Sequence, residues 1–186
     1  MNHALTVLKS NAEVRCRIAE IAAQISADYQ SVQPDQPLLV LCTLRGAVFF
    51  AADLIRALTV PAEINFIKVH SYDGDRPAGS PIFDLGESIP VRGRQVLIVE
   101  DIVDTGQTMD TVMRNFQDKG AESIRICTLL DKPARRSDAA KHVKPDYIGF
   151  TIPDLFVVGW GLDYNDRFRL LPDISVYDPA ADIQSL

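Results

Sequence analysis

Residues 96–108 read VLIVEDIVDTGQT. Three carboxylates, Glu100, Asp101 and Asp104, fall within five residues directly after an apolar run of strand length. Crowded carboxylates repel one another and lose hydration beside a buried strand, so they need donors or a metal to offset the cost. Helix capping and a tight turn would explain a Thr and one Asp, but not the other acids. A phosphorylated sugar supplies what is missing. Its hydroxyls can donate to Glu100 and Asp101. The amides and hydroxyls of Asp104, Thr105, Gly106, Gln107 and Thr108, at the positive end of a following helix, can cradle a phosphate. Gly106 lets the backbone approach closely. The segment contains neither GxxxxGK followed by Ser or Thr nor GxGxxG, so a monophosphate cup is favoured over a triphosphate or dinucleotide site.

The elements that must position these residues are legible around them. Residues 11–30 place Val14, Ile18, Ile21, Ala22 and Ile25 at helical spacing. LLVLCT (38–43), VLIV (96–99) and IRICTLL (124–130) are apolar runs of strand length, and EINFIKV (63–69) alternates as a strand does. Helices are expected near 47–58, ended by Pro61, and over 108–119, stopped at Gly120. Short strands are expected among the Pro and Gly turns of 146–177. Apolar strands alternating with helices predict an α/β fold whose mostly parallel sheet is covered on both faces. Ligands in such folds bind beyond the carboxyl ends of the strands, so the residues after 43, 69, 99 and 130 should share one rim. Residues 70–95, rich in Gly, Pro, Asp and Ser, form too long a connection for a compact domain and read as a functional lid. The last residues, DPAADIQSL, read as a poorly ordered tail.

Bulk properties exclude several classes. The 186 residues suit one domain with a full-sized core. A net charge of −6 disfavours nucleic acid as the main partner. No apolar run approaches the ~20 residues of a bilayer span. The first residues, MNHALTVLKS, lack the pattern of a secretory signal, so the expected location is the cytoplasm. Cys16, Cys42 and Cys127 are odd in number and widely spaced, which argues against disulfides and zinc. Cys42 and Cys127 sit in apolar runs, as buried small hydrophobes do. His3, His70 and His142 are scattered and form no metal-ligand cluster.

VEDIVDTGQT resembles the phosphoribosyl pyrophosphate motif of the type I phosphoribosyltransferases, without a gap: two acids, two apolar residues, Asp, Thr, Gly, then Thr after one more residue. More of the chain resembles the hypoxanthine-guanine branch. LRGA (44–47) is similar to its pyrophosphate loop, HSYDG (70–74) to the start of its mobile lid, DKPARR (131–136) to its purine-reading lysine segment, and KPDYIGFTIPDLFVVGWGLDYNDRFR (144–169) to its base-binding hood. The resemblance covers roughly residues 35–177. It implies the type I fold, a mostly parallel sheet flanked by helices with a small hood and a mobile lid. Residues 1–186 would form a single domain, with the lid at about 70–95 and the hood drawn from about 144–177 plus the N-terminal segment.

The activity implied is purine salvage with Mg2+, joining a 6-oxopurine nitrogen to C1 of the ribose and releasing pyrophosphate. The resemblance implies a role for each matching residue. Asp104 is the general base for the purine N7 proton, and Glu100 and Asp101 accept from ribose hydroxyls and reach the metal. Residues 102–108 (Ile102, Val103, Asp104, Thr105, Gly106, Gln107, Thr108) line the ribose phosphate, with Gln107 acting through its backbone. Leu44, Arg45, Gly46 and Arg169 contact pyrophosphate, and the Leu44–Arg45 peptide is cis. Ser71 and Tyr72 ride on the lid. Lys132 donates to the purine 6-oxygen, Phe156 stacks on the base, Val157 bonds it through its backbone, and Asp163 is a magnesium ligand beside the purine. Hypoxanthine, guanine and phosphoribosyl pyrophosphate are the implied substrates, and a homodimer or homotetramer the implied assembly. Two alternatives stay open: a nucleotide-sensing regulator of this fold that binds RNA or DNA, and a transferase for xanthine or another base.

Overall fold

LLVLCT, VLIV and IRICTLL are largely apolar because most of each strand is covered on both faces. The computed structural model describes residues 5–70, 82–84 and 89–178. Its elements are β1 (Leu5–Lys9), α1 (Asn11–Asp28), β2 (Leu38–Leu44), α2 (Val48–Ala57), β3 (Ala62–His70), β4 (Ile82–Asp84), β5 (Gln95–Val103), α3 (Gln107–Asp118), β6 (Ser123–Asp131), β7 (Tyr147–Thr151), β8 (Val157–Val158) and β9 (Ile174–Tyr177). The larger sheet has the order β4-β3-β2-β5-β6-β7. β3, β2, β5, β6 and β7 run parallel, and β4 is an antiparallel edge.

Successive residues of one strand feed different cores, as the two-residue period of a strand requires. Val40, Cys42, Leu97, Val99, Cys127 and Leu129 pack with α1 and α2. Leu39, Leu41, Val96, Ile98 and Ile126 pack with Met109, Val112 and Phe116 of α3. α1 starts at a capping box in which Ser10 and Glu13 each satisfy the other's backbone amide. α3 stops before Gly120, whose φ of +83° permits the left-handed turn.

Three features depart from expectation. β5 does not end at Val99. It runs on through Glu100 and Asp101 to Val103, because β6 continues to pair with it at Ile102–Leu130 and Val103–Asp131. The two acids therefore lie inside a strand, not just beyond it. Leu5–Lys9, which carries no strong strand signal, forms β1 and completes a second, antiparallel sheet of order β1-β9-β8. Within the range expected for the hood, Tyr147–Thr151 instead joins β6 in the larger sheet. Of the connection over 70–95, Ile82–Asp84 pairs with β3, and Ile89 and Val91 are buried against the α3 side of the sheet. Ser71, Tyr72 and residues 179–186 lie outside the described residues. Cys42 and Cys127 are buried and Cys16 is exposed, all three as free thiols. Burial pushes the Cys42 thiol up to about 12. Among the described residues no helix is long and apolar enough to cross a membrane.

Candidate active site

Parallel strands bring their carboxyl ends to one rim, and a cavity of about 250 Å³ opens there. It is lined by Thr43 and Leu44 from β2, by the run from Glu100 to Gly106, and by Thr108 and Met109. Glu100 is almost fully buried in its wall. Thr43 Oγ1 donates to its Oε1 at 2.8 Å, and the Asp101 amide donates to the same oxygen at 3.1 Å. Burial, and then the neighbouring charge of Asp101, push the Glu100 carboxyl well above its usual range. Asp101 in turn accepts from the Ile102 amide at 2.8 Å. Glu100 thus faces a hydroxyl and another acid, an arrangement to which hydroxyl donors or a cation would be complementary.

Gly106 caps the first turn of α3 at φ +80°, with no side chain bonded across the helix start. The helix amides and the positive end of its dipole are thereby presented to the cavity. Gln107 is exposed at the first helical position, as a backbone role requires.

The loop between β5 and α3 is fixed from an unexpected direction. The Arg136 guanidinium donates to the carbonyls of Val103, at 2.7 Å, and Asp104, and it pairs with the Asp131 carboxylate. Both side chains of that pair are under 10% exposed, at 8% and 7%. The Lys132 amide adds a bond to the Val103 carbonyl at 3.0 Å and the Ser137 amide one to the Thr105 carbonyl at 3.0 Å. DKPARR therefore does more than carry a lysine: it braces the phosphate loop. No local pattern announces this, because an arginine that bonds distant carbonyls leaves no spacing to read.

Lys132 is itself buried, contrary to what a lysine before a proline suggests, and its Nζ stands 3.9 Å from Asp154. Asp104, half-buried, accepts from Arg135 Nε at 3.1 Å, and Arg135 also reaches Asp154 at 3.5 Å. Asp104, Arg135, Asp154 and Lys132 thus form one alternating chain of charge beside the cavity. The smaller sheet contributes Phe156 and Val157. Phe156 is 46% exposed and meets Tyr164 edge-on at 5.6 Å, so one face of an aromatic cluster is open. Val157 is buried in β8, paired with Val176.

The Leu44–Arg45 peptide is cis. Gly46, next in the loop, has no room for a side chain: a Cβ there would stand 1.5 Å from Asp101 Oδ2. From the other side Gly161, at φ +99°, presses its α-carbon so near that an added Cβ would meet the Gly46 carbonyl at 1.9 Å. These two glycines weld the β2 loop to the turn after β8. That turn carries Asp163 and Arg169, joined at 2.8 Å, and Arg169 also donates to the Gly161 carbonyl at 2.7 Å. Asp166 links Arg169 to Arg45.

The structure therefore brings Glu100–Gly106 and Thr108 together with Leu44 in one cavity, leaves the Gln107 side chain outside its lining, places Lys132 and Asp104 in one charge chain, and joins Arg45 to Arg169 through Asp166. It does not gather Glu100, Asp101 and Asp163 into a cage: among the described residues no three of His, Cys, Asp and Glu are arranged to hold a metal on their own.

Residues 5–166 match the family model of the phosphoribosyl transferase domain. The hypoxanthine-guanine phosphoribosyltransferase of Mycobacterium avium is 40% identical over 178 residues, covering 94% of this chain and 86% of the relative. The hypoxanthine phosphoribosyltransferase of Escherichia coli K12 is 42% identical over 177 residues, covering 94% and 96%. A solved structure of Trypanosoma cruzi hypoxanthine phosphoribosyltransferase, in complex with the product IMP, aligns with a TM-score of 0.87 at 37% identity and covers 96% of each chain. With the cup at the sheet's rim lying inside the matched segment, the chain belongs to the phosphoribosyl transferase family.

Proposed function

We propose that the chain is a purine-salvage transferase that moves 5-phosphoribosyl from phosphoribosyl pyrophosphate to hypoxanthine or guanine, giving IMP or GMP and pyrophosphate. One observation carries the choice of acceptor. Lys132, a buried ammonium that can donate to a 6-oxo group, is tied through its own backbone to the loop that forms the phosphate cup. The base would lie between that ammonium and the open face of Phe156, with the Val157 backbone at its edge.

The cup's amides and the threonines at 105 and 108 take the 5′-phosphate, and Glu100 and Asp101 accept from the ribose hydroxyls. Arg45 and Arg169, with the Gly46 amide, take the diphosphate, for which forked guanidiniums are suited. N9 of the base attacks C1 as the bond from C1 to the diphosphate oxygen breaks. The electron pair leaves with the diphosphate, and Asp104 accepts the proton from N7. Fixed donors around the developing charges supply the stabilisation. Mg2+ fits the donor set: hard carboxylate oxygens at Glu100, Asp101 and Asp163 would hold it together with substrate oxygens, and it would neutralise the leaving group.

The smaller sheet and the turn after it act as the hood in this scheme. Exposed Phe49 and Leu170 support assembly into a homodimer or homotetramer, and three free thiols accord with work in the cytoplasm. The test is turnover of pure protein with phosphoribosyl pyrophosphate, magnesium and each of hypoxanthine, guanine and xanthine. IMP or GMP formation is expected. Formation of neither nucleotide, or a preference for xanthine, would sink the assignment.

A further inference from the structure

Asp166 is where the two arginines assigned to the diphosphate converge. Its Oδ1 accepts from Arg45 Nη2 at 2.8 Å and from Arg169 Nη2 at 3.2 Å. The backbone that carries it is held firmly. Asp166 has φ +60° beside Asn165 at φ +51°, and its amide donates to Asp163 Oδ2 at 2.8 Å. Asn and Asp adopt that region most readily after glycine, and here the turn is closed by the paired Tyr164 and Arg167 backbones. The side chain, in contrast, is 66% exposed, and so is free to move off its partners.

We propose that Asp166 is an internal stand-in for the diphosphate: its carboxylate holds Arg45 and Arg169 side by side in the empty enzyme and competes with the diphosphate for the same N–H donors. This rests on the assignment of Arg45 and Arg169 to the diphosphate. The sign of the effect follows from what else holds each group. Arg169 keeps two other acceptors, the Gly161 carbonyl at 2.7 Å and Asp163 at 2.8 Å, so it stays oriented when Asp166 lets go. The loop bearing Arg45 stays in place through Gly46, wedged against Asp101 and Gly161. Asp166 is therefore not needed to keep the donors near the site. What it adds is an anion that the diphosphate must displace and then sit beside, at a cost softened by solvent. The same anion can retake the arginines as pyrophosphate leaves, so it eases product release.

The experiment is calorimetric titration of magnesium with inorganic pyrophosphate into the full-length protein, comparing wild type, Asp166→Asn, Asp166→Glu and Arg45→Ala. Asp166→Asn keeps the side chain's shape and removes its charge, and should tighten pyrophosphate binding roughly threefold to tenfold. The gain should shrink as salt is raised. Asp166→Glu should restore the wild-type affinity, and the KM for the purine base should not move. A purely structural role for Asp166 predicts the reverse, weaker binding in both variants with a lowered Tm. If Arg45→Ala weakens binding while Asp166→Asn leaves it unchanged or weaker, the stand-in role is wrong and the diphosphate assignment survives. If Arg45→Ala binds pyrophosphate like wild type, the assignment itself fails and the stand-in role falls with it.

Discussion

The loop after β5, proposed above to hold the phosphate, and the arginine arm, proposed to hold the diphosphate, are built in opposite ways. The loop after β5 is braced by Arg136, whose partners include two carbonyls of that loop and a carboxylate almost without solvent contact. The arm is exposed at its Arg45 end, where Arg45 and Asp166 are 65% and 66% exposed, while Arg169 and Asp163 behind them are 22% and 28% exposed. A monophosphate taken up by backbone amides needs those amides fixed beforehand, because catalysis gains only from donors that do not reorganise during the reaction. A diphosphate is a leaving group and must depart. Exposed, screened ion pairs exchange at little cost, which suits donors that have to let go in every cycle.

Three substitutions can break this contrast. The largest effect is expected at Asp104, the acid at the cup's mouth. Asp104→Asn preserves the side chain's shape and its ability to accept from Arg135 but cannot take a proton from the base. Its kcat should fall by about 10²-fold or more, with the circular dichroism spectrum unchanged. Full turnover would move the base role to another group. Next comes the brace. Arg136→Ala leaves Asp131 buried without its cation and should cost about 3–5 kcal/mol in urea unfolding, with a raised KM for phosphoribosyl pyrophosphate. Arg45→Ala, in the arm, should change stability by no more than about 1 kcal/mol. Equal losses in the two variants would erase the distinction between a clamped cup and a loosely held arm.

The same contrast explains what the sequence disclosed. LLVLCT, VLIV and IRICTLL were readable because burial on both faces leaves an unbroken apolar run. Gly106 and the acids before it were readable because local chain geometry and local charge demand them. The end of β5 was not. Glu100 and Asp101 look like the start of a loop, yet β6 pairs with Glu100, Ile102 and Val103 beyond Val99, and a strand's length belongs to its neighbour as much as to itself. Arg136 and Asp166 were missed for a related reason. Each acts through groups brought from elsewhere by the fold, and a lone basic or acidic residue in a loop is ordinarily just solvated. β1 is not legible because its burial alternates weakly and the strand it pairs with, β9, comes from the far end of the chain. The cis peptide at Leu44–Arg45 was an expectation carried by family resemblance alone, since no pattern in LRGA demands it.

The smallest effect sharpens the account of the cup, because it concerns stability in the absence of substrate. Glu100 is buried beside Asp101, and burial first, then that charge, raises its carboxyl above the ordinary range. The folded value lies above the unfolded one. At pH below the ordinary carboxylate value both states hold the proton, and the carboxylate carries no penalty. As pH rises past that value the unfolded chain releases its proton first, and the folded state loses stability until it ionises too. Glu100→Gln stays neutral throughout and can still accept from Thr43 Oγ1, now donating to Asp101 rather than repelling it. In scanning calorimetry of the ligand-free protein the variant should match wild type near pH 4 and melt at a higher temperature than wild type at pH 8. Adding magnesium and phosphoribosyl pyrophosphate should reverse the order, because only the carboxylate gains from a cation and from ribose hydroxyl donors. A variant less stable than wild type at pH 8 without ligand would mean that the Glu100 charge is already balanced inside the protein. The cup would then be shaped by its own packing and not by the ligand it awaits.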